Sequence, residues 1–273
     1  MKQVDLGIAR IAHLVWESEL EEMVQQKRPS MHLQSHEECE LGLWLHGEIN
    51  YEMGHLASVK HLLAVHQQFH VAALRVIEYL KHGPSATVAR EMQKVRELSR
   101  DIVYFITEIE IDSLEQKPLS HFSTHPLKNM IYRFFHVSNE PPTEGHGILE
   151  VSYARLEHLR WSRDLLRSFH HWGREADLIS SRQCAVGKWI QQIGLPSGQH
   201  TELVKDLQQI HESFHAKAED TLHLLRRKNI TGSENAYREV VRLGREVLYL
   251  LTRIELAFLQ SGSIATPTNF IKM

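Results

Sequence analysis

The sequence predicts an all-α protein, two antiparallel four-helix bundles in tandem, on three observations: helical apolar spacing, breakers at intervals, and internal repetition. Over 53–81 the apolar positions are Val59, Leu62, Leu63, Phe69, Ala73, Ile77 and Leu80, the spacing of one helix face. Over 86–114 they are Val88, Met92, Val95, Leu98, Ile102, Phe105, Ile109 and Leu114, close to a heptad stripe. Each such helix is about 40 Å long at about 1.5 Å per residue. Breakers separate the helices: Pro29, Gly54 and Gly83-Pro84, echoed by Pro196 and Gly198, then Gly232. Four helical segments in each half, each with one apolar face and joined by short turns, close into a bundle around one core.

The repetition has a single register. His13-Leu-Val-Trp16 returns as His158-Leu-Arg-Trp161, 145 residues later. Cys39-Glu-Leu-Gly42-Leu-Trp44 returns as Cys184-Ala-Val-Gly187-Lys-Trp189 and His66-Gln-Gln-Phe69-His70 as His211-Glu-Ser-Phe214-His215, both again at 145. Arg100, Tyr104, Thr107, Ile109 and Glu110 are matched by Arg245, Tyr249, Thr252, Ile254 and Glu255. The halves read as a tandem duplication: a first bundle over 1–116, a second over 148–262 and a C-terminal tail over 263–273. Between them, 117–147 carries Pro118, Pro126, Pro141 and Pro142, which break helix. Within that linker 128–137 is apolar enough for a short docked helix, since Ile131, Phe134 and Phe135 are poor solvated residues.

Composition narrows the function. Lys and Arg number 31 against 34 Asp and Glu, a formal charge of −3, which offers no electrostatic footprint for nucleic acid and no polybasic segment for a membrane surface. No stretch approaches the roughly 18 apolar residues of a transmembrane helix. Asp5 lies where a signal peptide needs its apolar core, and two cysteines cannot make a disulfide scaffold, so the expected location is the cytoplasm. The anomaly is 20 histidines.

The repeated histidines fall on apolar stripes. His66 and His70, four residues apart, share a helix face with Val59, Leu63, Ala73 and Ile77. His211 and His215 line up with Leu207 and Ala218, and His158 with Val151, Ala154, Trp161 and Leu165. A bundle ordinarily places Leu at such positions, and each unpaired imidazole nitrogen there costs roughly 1–3 kcal/mol. A bound metal removes that cost. Cys39 and Cys184 each precede a glycine by three residues. A glycine costs about 1 kcal/mol in a helix interior, and close approach of a neighbouring helix is one reason to keep Gly42 and Gly187. Each half thus contributes three imidazoles and a thiolate, a saturated tetrahedral zinc set: His13, Cys39, His66 and His70, then His158, Cys184, His211 and His215, with two Zn²⁺ per chain. Any single buried histidine is more often a core or capping residue, but four donor types kept twice at one offset are not explained so. The unrepeated histidines, His36 and His46 among them, read as surface residues, and Trp16, Trp44, Trp161 and Trp189 as packing beside the site.

His211-Glu212-Ser213-Phe214-His215 also matches the H-E-x-x-H helix signature of zinc peptidases. The first half has Gln67 in place of the glutamate, and His158 and Cys184 would fill the positions a catalytic zinc leaves open. The match reads as incidental and the chain as no enzyme.

The arrangement H-x-x-W, C-x-[LV]-G-x-W and H-x-x-x-H resembles the bacterial chemoreceptor zinc-binding domain family, and each half looks like one copy. The resemblance implies four-helix bundles holding zinc through the eight residues above. It implies a regulatory role in bacterial signalling or chemotaxis, sensing zinc or, through the zinc-bound thiolate, an oxidant. Family members pair as homodimers, which implies either a homodimer or two halves packed as a pseudo-dimer within one chain. No GGDEF signature, receptor signalling hairpin or transmembrane segment is present. A signal would therefore pass to a protein partner such as a chemoreceptor or a diguanylate cyclase. The other readings are a structural zinc protein or zinc buffer and, more remotely, a zinc hydrolase.

Overall fold

The computed structural model describes residues 6–27, 34–116, 148–170, 179–193 and 201–260. The expected linker over 117–147 with its short helix, the tail over 263–273, and the breakers Pro29, Pro196 and Gly198 lie outside the described residues. Those residues are helical almost throughout, with no strand among them, so the all-α expectation holds. The chain divides into two compact units, Met1–Ser113 and Leu114–Met273.

The first unit contains α1 (Leu6–Gln26), a broken segment, α4 (Ala57–Leu80) and α5 (Ala86–Gln116). The broken segment is α2 (Glu40–Trp44), a π-helical turn (Leu45–Ile49) and α3 (Asn50–Met53), with the chain kinked at Gly47 (φ −95°, ψ −112°). One core joins them: Leu20 and Met23 of α1, Leu41 and Leu45 of the broken segment, Phe69 and Ala73 of α4, and Val95 and Ile102 of α5. Cross-helix pairs set the directions. Arg10 of α1 reaches Glu110 of α5 at 2.6 Å, while Arg96 of α5 reaches back to Glu21 of α1 at 2.7 Å, so these helices run antiparallel. Ser58 opposite Asp112 and His61 opposite Phe105 make α4 antiparallel to α5 as well. The α4–α5 turn needs Gly83, whose φ of +94° suits a residue without Cβ. Ser85 then caps α5 by accepting from the Val88 N–H at 3.3 Å.

The second unit contains α6 (Ile148–His170), α7 (Ala185–Ile193), α8 (Thr201–Arg226) and α9 (Ile230–Gln260). Arg155–Glu255 and Phe169–Tyr237 contacts make α6 and α9 antiparallel. Gly232, expected as a breaker, lies in the first turn of α9. There the Asn229 side chain caps the helix by accepting from the Gly232 N–H at 3.0 Å. Among the described residues the core of this unit includes two clusters. One gathers Val151, Ala154, Val186, Leu207, Leu251 and Ile254; the other gathers Leu165, Phe214, Ala218, Leu222, Val240 and Leu243. His158 and His211 are buried on α6 and α8 between residues of the two clusters.

Each unit buries an arginine in its own ion pair, and the two pairs obey the 145-residue register. Arg155, with no exposed surface, donates to Glu255 at 2.7 Å and to Ser152 Oγ at 3.1 Å. Arg10 and Glu110 repeat the pair in the first unit. Each arginine stands three residues, about one helical turn, before the repeated histidine of its helix. A pair of this kind adds little over an apolar substitute, but stranding one partner is costly. Glu255→Ala should therefore destabilise the second unit by about 3–5 kcal/mol, read as a lower denaturation midpoint, whereas Arg155→Met/Glu255→Leu should recover most of that loss.

Candidate metal centre

The cysteine is positioned by a tight turn. In the first unit Ser35 and Glu38 reciprocate as a capping box: Ser35 Oγ donates to the Glu38 carboxylate at 2.9 Å and accepts from the Glu38 N–H at 3.2 Å. Cys39 N–H donates to the Ser35 carbonyl at 3.1 Å, which puts Cys39 at the N-cap of α2. There its Sγ accepts from the Gly42 N–H at 3.2 Å. The cysteine thus starts a helix rather than riding along one, and the glycine has a different reason from the expected approach of a neighbouring helix. A Cβ on Gly42 would lie 2.0 Å from the His36 carbonyl oxygen, and one on Gly187 1.8 Å from that of Ser181. Glycine lets the chain turn back on itself at the cysteine. The second unit repeats the turn, with Cys184 N–H on the Ser180 carbonyl at 3.1 Å and Gly187 N–H on Cys184 Sγ at 3.3 Å.

Across from the cysteine, α4 presents its two imidazoles. His66 Nε2 lies 3.3 Å from Cys39 Sγ and 3.1 Å from His70 Nε2. Three donor atoms of Cys39, His66 and His70 all lie within 4.8 Å of one another, on buried residues. In a tetrahedral zinc site two nitrogens stand about 3.3 Å apart, and nitrogen and sulfur about 3.6 Å apart, from bonds of about 2.1 and 2.3 Å. The donor types and their spacings therefore fit one such ion.

The fourth expected donor differs between the units. His13 is buried against Phe69, ring centroids 4.4 Å apart, but its Nε2 pairs with Ser99 Oγ at 3.1 Å, outside the group that Cys39, His66 and His70 make. In the second unit the residue 145 positions beyond Ser99 is Gly244, and His158 Nε2 is buried with no hydrogen-bond partner among the described residues. There His158, His211 and His215 are the three whose donors lie within 4.8 Å of one another. Cys184 stands beside them, its Sγ 3.0 Å from His211 Nε2 and 3.6 Å from the Ser181 carbonyl. An orphaned buried nitrogen costs free energy, and it belongs here to a histidine that groups with two further imidazoles, where a bound cation would offset the cost of burying so many ring nitrogens.

Burial makes all these groups neutral. It holds His66 and His211 down to about 3, helped by the neighbouring His70 and His215. It also lowers His70 and His215 to about 4, against the pull of a hydrogen bond to the backbone at Gln34 and at Ile179 respectively. Those two backbone contacts, again 145 residues apart, orient the rings as a second-layer carbonyl does for a metal-ligating histidine. His13 and His158 are pushed well below the ordinary value, mainly by burial. Burial raises both thiols despite the glycine N–H groups. Neutral imidazole is the ligating form, whereas a thiol must lose its proton to the metal. Aromatic rings seal the group: Trp16 packs on Phe69 and His70, and Trp161 on Phe214 and His215.

Glu212, the would-be base of the H-E-x-x-H match, is exposed and accepts from Gln208 Nε2 at 3.0 Å on the face of α8 away from the core. It does not address the histidine pair. Sequence reasoning missed the buried Arg10 and Arg155, although their 145-residue spacing was available. It also missed Ser99, which no repeat marks, and the grouping of His36 with His46.

Residues 13–77 match the family model of the chemoreceptor zinc-binding domain. That stretch begins at His13 and holds Cys39, His66 and His70. Among curated proteins and among solved structures, none matches. Among the described residues no helix is long and apolar enough to cross a membrane.

The histidine environment has a pH consequence. In the unfolded chain these imidazoles take up protons near 6.5, while in the folded protein they resist until about 3 to 4. Between those limits the unfolded state holds more protons, so stability falls as pH falls and levels off above 6.5. The melting temperature of chelator-treated protein should stay nearly level above pH 7 and drop steadily from pH 6.5 to 4.5. His66→Leu/His70→Leu should flatten that slope.

Proposed function

We propose that the chain is a zinc-binding regulatory protein with one His₃Cys site in each unit, acting in bacterial signalling through a protein partner. The observation that carries this reading is the convergence of Cys39, His66 and His70 inside the stretch that matches a zinc-binding domain family. His13 would complete the first set, and His158, Cys184, His211 and His215 the second. The recurrence of the turn, the thiol–imidazole contact and the imidazole pair 145 residues later supports extending the reading to the second unit.

Bound zinc would supply a cross-link at the cysteine, where the broken segment otherwise meets its neighbours through packing of Leu41, Trp44 and Leu45 and the Cys39–His66 contact. The chain around it is built unevenly. α4 and α5 are long and bury much of their length, whereas the cysteine leads a run of helical pieces of 5, 5 and 4 residues. Pieces so short have no stability of their own. Their place depends on Leu41, Trp44 and Leu45 in the core and on the hold exerted at Cys39. The same run exposes Leu43 at 63% and Tyr51 at 93%. Such apolar exposure suits a surface that a partner reads when the run shifts. The thiolate is the one oxidisable donor in each set, so oxidant and zinc would act at the same point.

Metal analysis combined with hydrogen exchange tests this reading. Purified protein should carry two zinc per chain, falling to one in Cys39→Ser or Cys184→Ser if the thiolate dominates affinity. Chelation should raise exchange in 40–53 while α4 and α5 keep their protection. Collapse of both units on chelation would instead favour a structural zinc protein. A chain without zinc would remove both readings.

A further inference from the structure

The turn that delivers Cys39 also carries His36 and Glu37, and the π-helical turn beyond α2 carries His46. Donor atoms of these three all lie within 4.8 Å of one another. His36 Nε2 is 3.9 Å from Glu37 Oε1, with the side chains 31% and 69% exposed. The two imidazole rings stand edge to face, 6.3 Å apart, so they do not pack as a stacked pair. On its inner side the His36 ring is 6.4 Å from that of His70. The group forms the solvent-side lip of the buried donors.

Two comparisons within the chain set this lip apart from ordinary surface histidines. The residues 145 positions on are Ser181, Arg182 and Gln191, and there Gln191 Nε2 donates to the Arg182 carbonyl at 2.9 Å. The second unit closes the same place with a hydrogen bond. The helical path differs as well: α7 is unbroken α-helix over Ala185–Ile193, whereas the first unit inserts its π turn where His46 stands. π turns cost stability and are found disproportionately at functional positions.

We propose that His36, Glu37 and His46 form a second divalent-metal site that the first unit alone possesses, taking zinc or another borderline ion. Two imidazoles and a carboxylate are a common zinc donor set. Because the side chains are partly exposed and water would complete the coordination, the site is weaker and faster to exchange than a buried one. Its position gives it a role: an ion captured at the lip is one ring away from His70, so the site loads the buried donors. The site itself stands on its own geometry; the loading role rests on the buried donors holding zinc.

Zinc titration of the chelator-stripped full chain, wild type against His36→Gln/His46→Gln, decides the matter, with circular dichroism to verify that the variant is folded. Wild type should bind one weak equivalent more than the variant, and Glu37→Gln should weaken that equivalent about tenfold. Tight equivalents should be equal in number in wild type and variant but fill more slowly in the variant. Equal total stoichiometry and equal affinities would overturn the lip site. Absence of tight equivalents from both proteins would overturn the buried sites and the loading role, while a surviving difference of one weak equivalent would still establish the lip.

Discussion

Imidazole nitrogen and cysteine sulfur brought together inside a helical seam constrain everything around them. A bundle gains stability by burying hydrocarbon, and every donor so placed gives up that gain and adds a desolvation cost. The rest of each unit reduces that cost or holds the donors ready. Phe69 and Phe214 lie between the paired histidines of their helices, and the tryptophans of α1 and α6 cover them. A capping turn starts the cysteine helix, and a glycine lets that turn fold back. A backbone hydrogen bond orients the outer histidine of each pair. These parts are individually ordinary. Their concentration around the clustered imidazoles and thiols is not what a bundle needs merely to fold.

The two units share this plan but are not chemically equivalent. Ser99 gives His13 a hydrogen bond that His158 lacks, because glycine stands in the corresponding place, where a Cβ would approach Phe214 to 3.3 Å. The first unit adds a polar lip and a broken helix, and the second has a plain short helix.

Much of this was legible in the sequence, for physical reasons. Period-3.6 apolar spacing marked α4 and α5 to within a few residues, because long helices facing one core cannot hide that period. The repeat register pointed to the donors, since residue types kept twice stand out against a drifting surface. What escaped reading depended on local backbone geometry. The N-cap position of Cys39 follows from the Ser35 turn, and the need for Gly42 from a carbonyl of that turn rather than from a neighbouring helix. Gly232 looked like a breaker but sits in a first helical turn, where Asn229 uses its free N–H. His36 and His46 are ten residues apart in sequence, and no periodicity announces that a π turn and a tight turn bring them together. Ser99 on α5 lies too far in sequence from His13 for any local pattern to pair them.

X-ray absorption at the zinc edge tests the central claim most directly, on protein loaded with two equivalents. The account predicts a four-coordinate shell of three nitrogens and one sulfur per zinc, with imidazole scattering beyond it. A shell of five or six oxygen and nitrogen neighbours with no sulfur would contradict it, because the cysteine turns would then have no part in holding the metal.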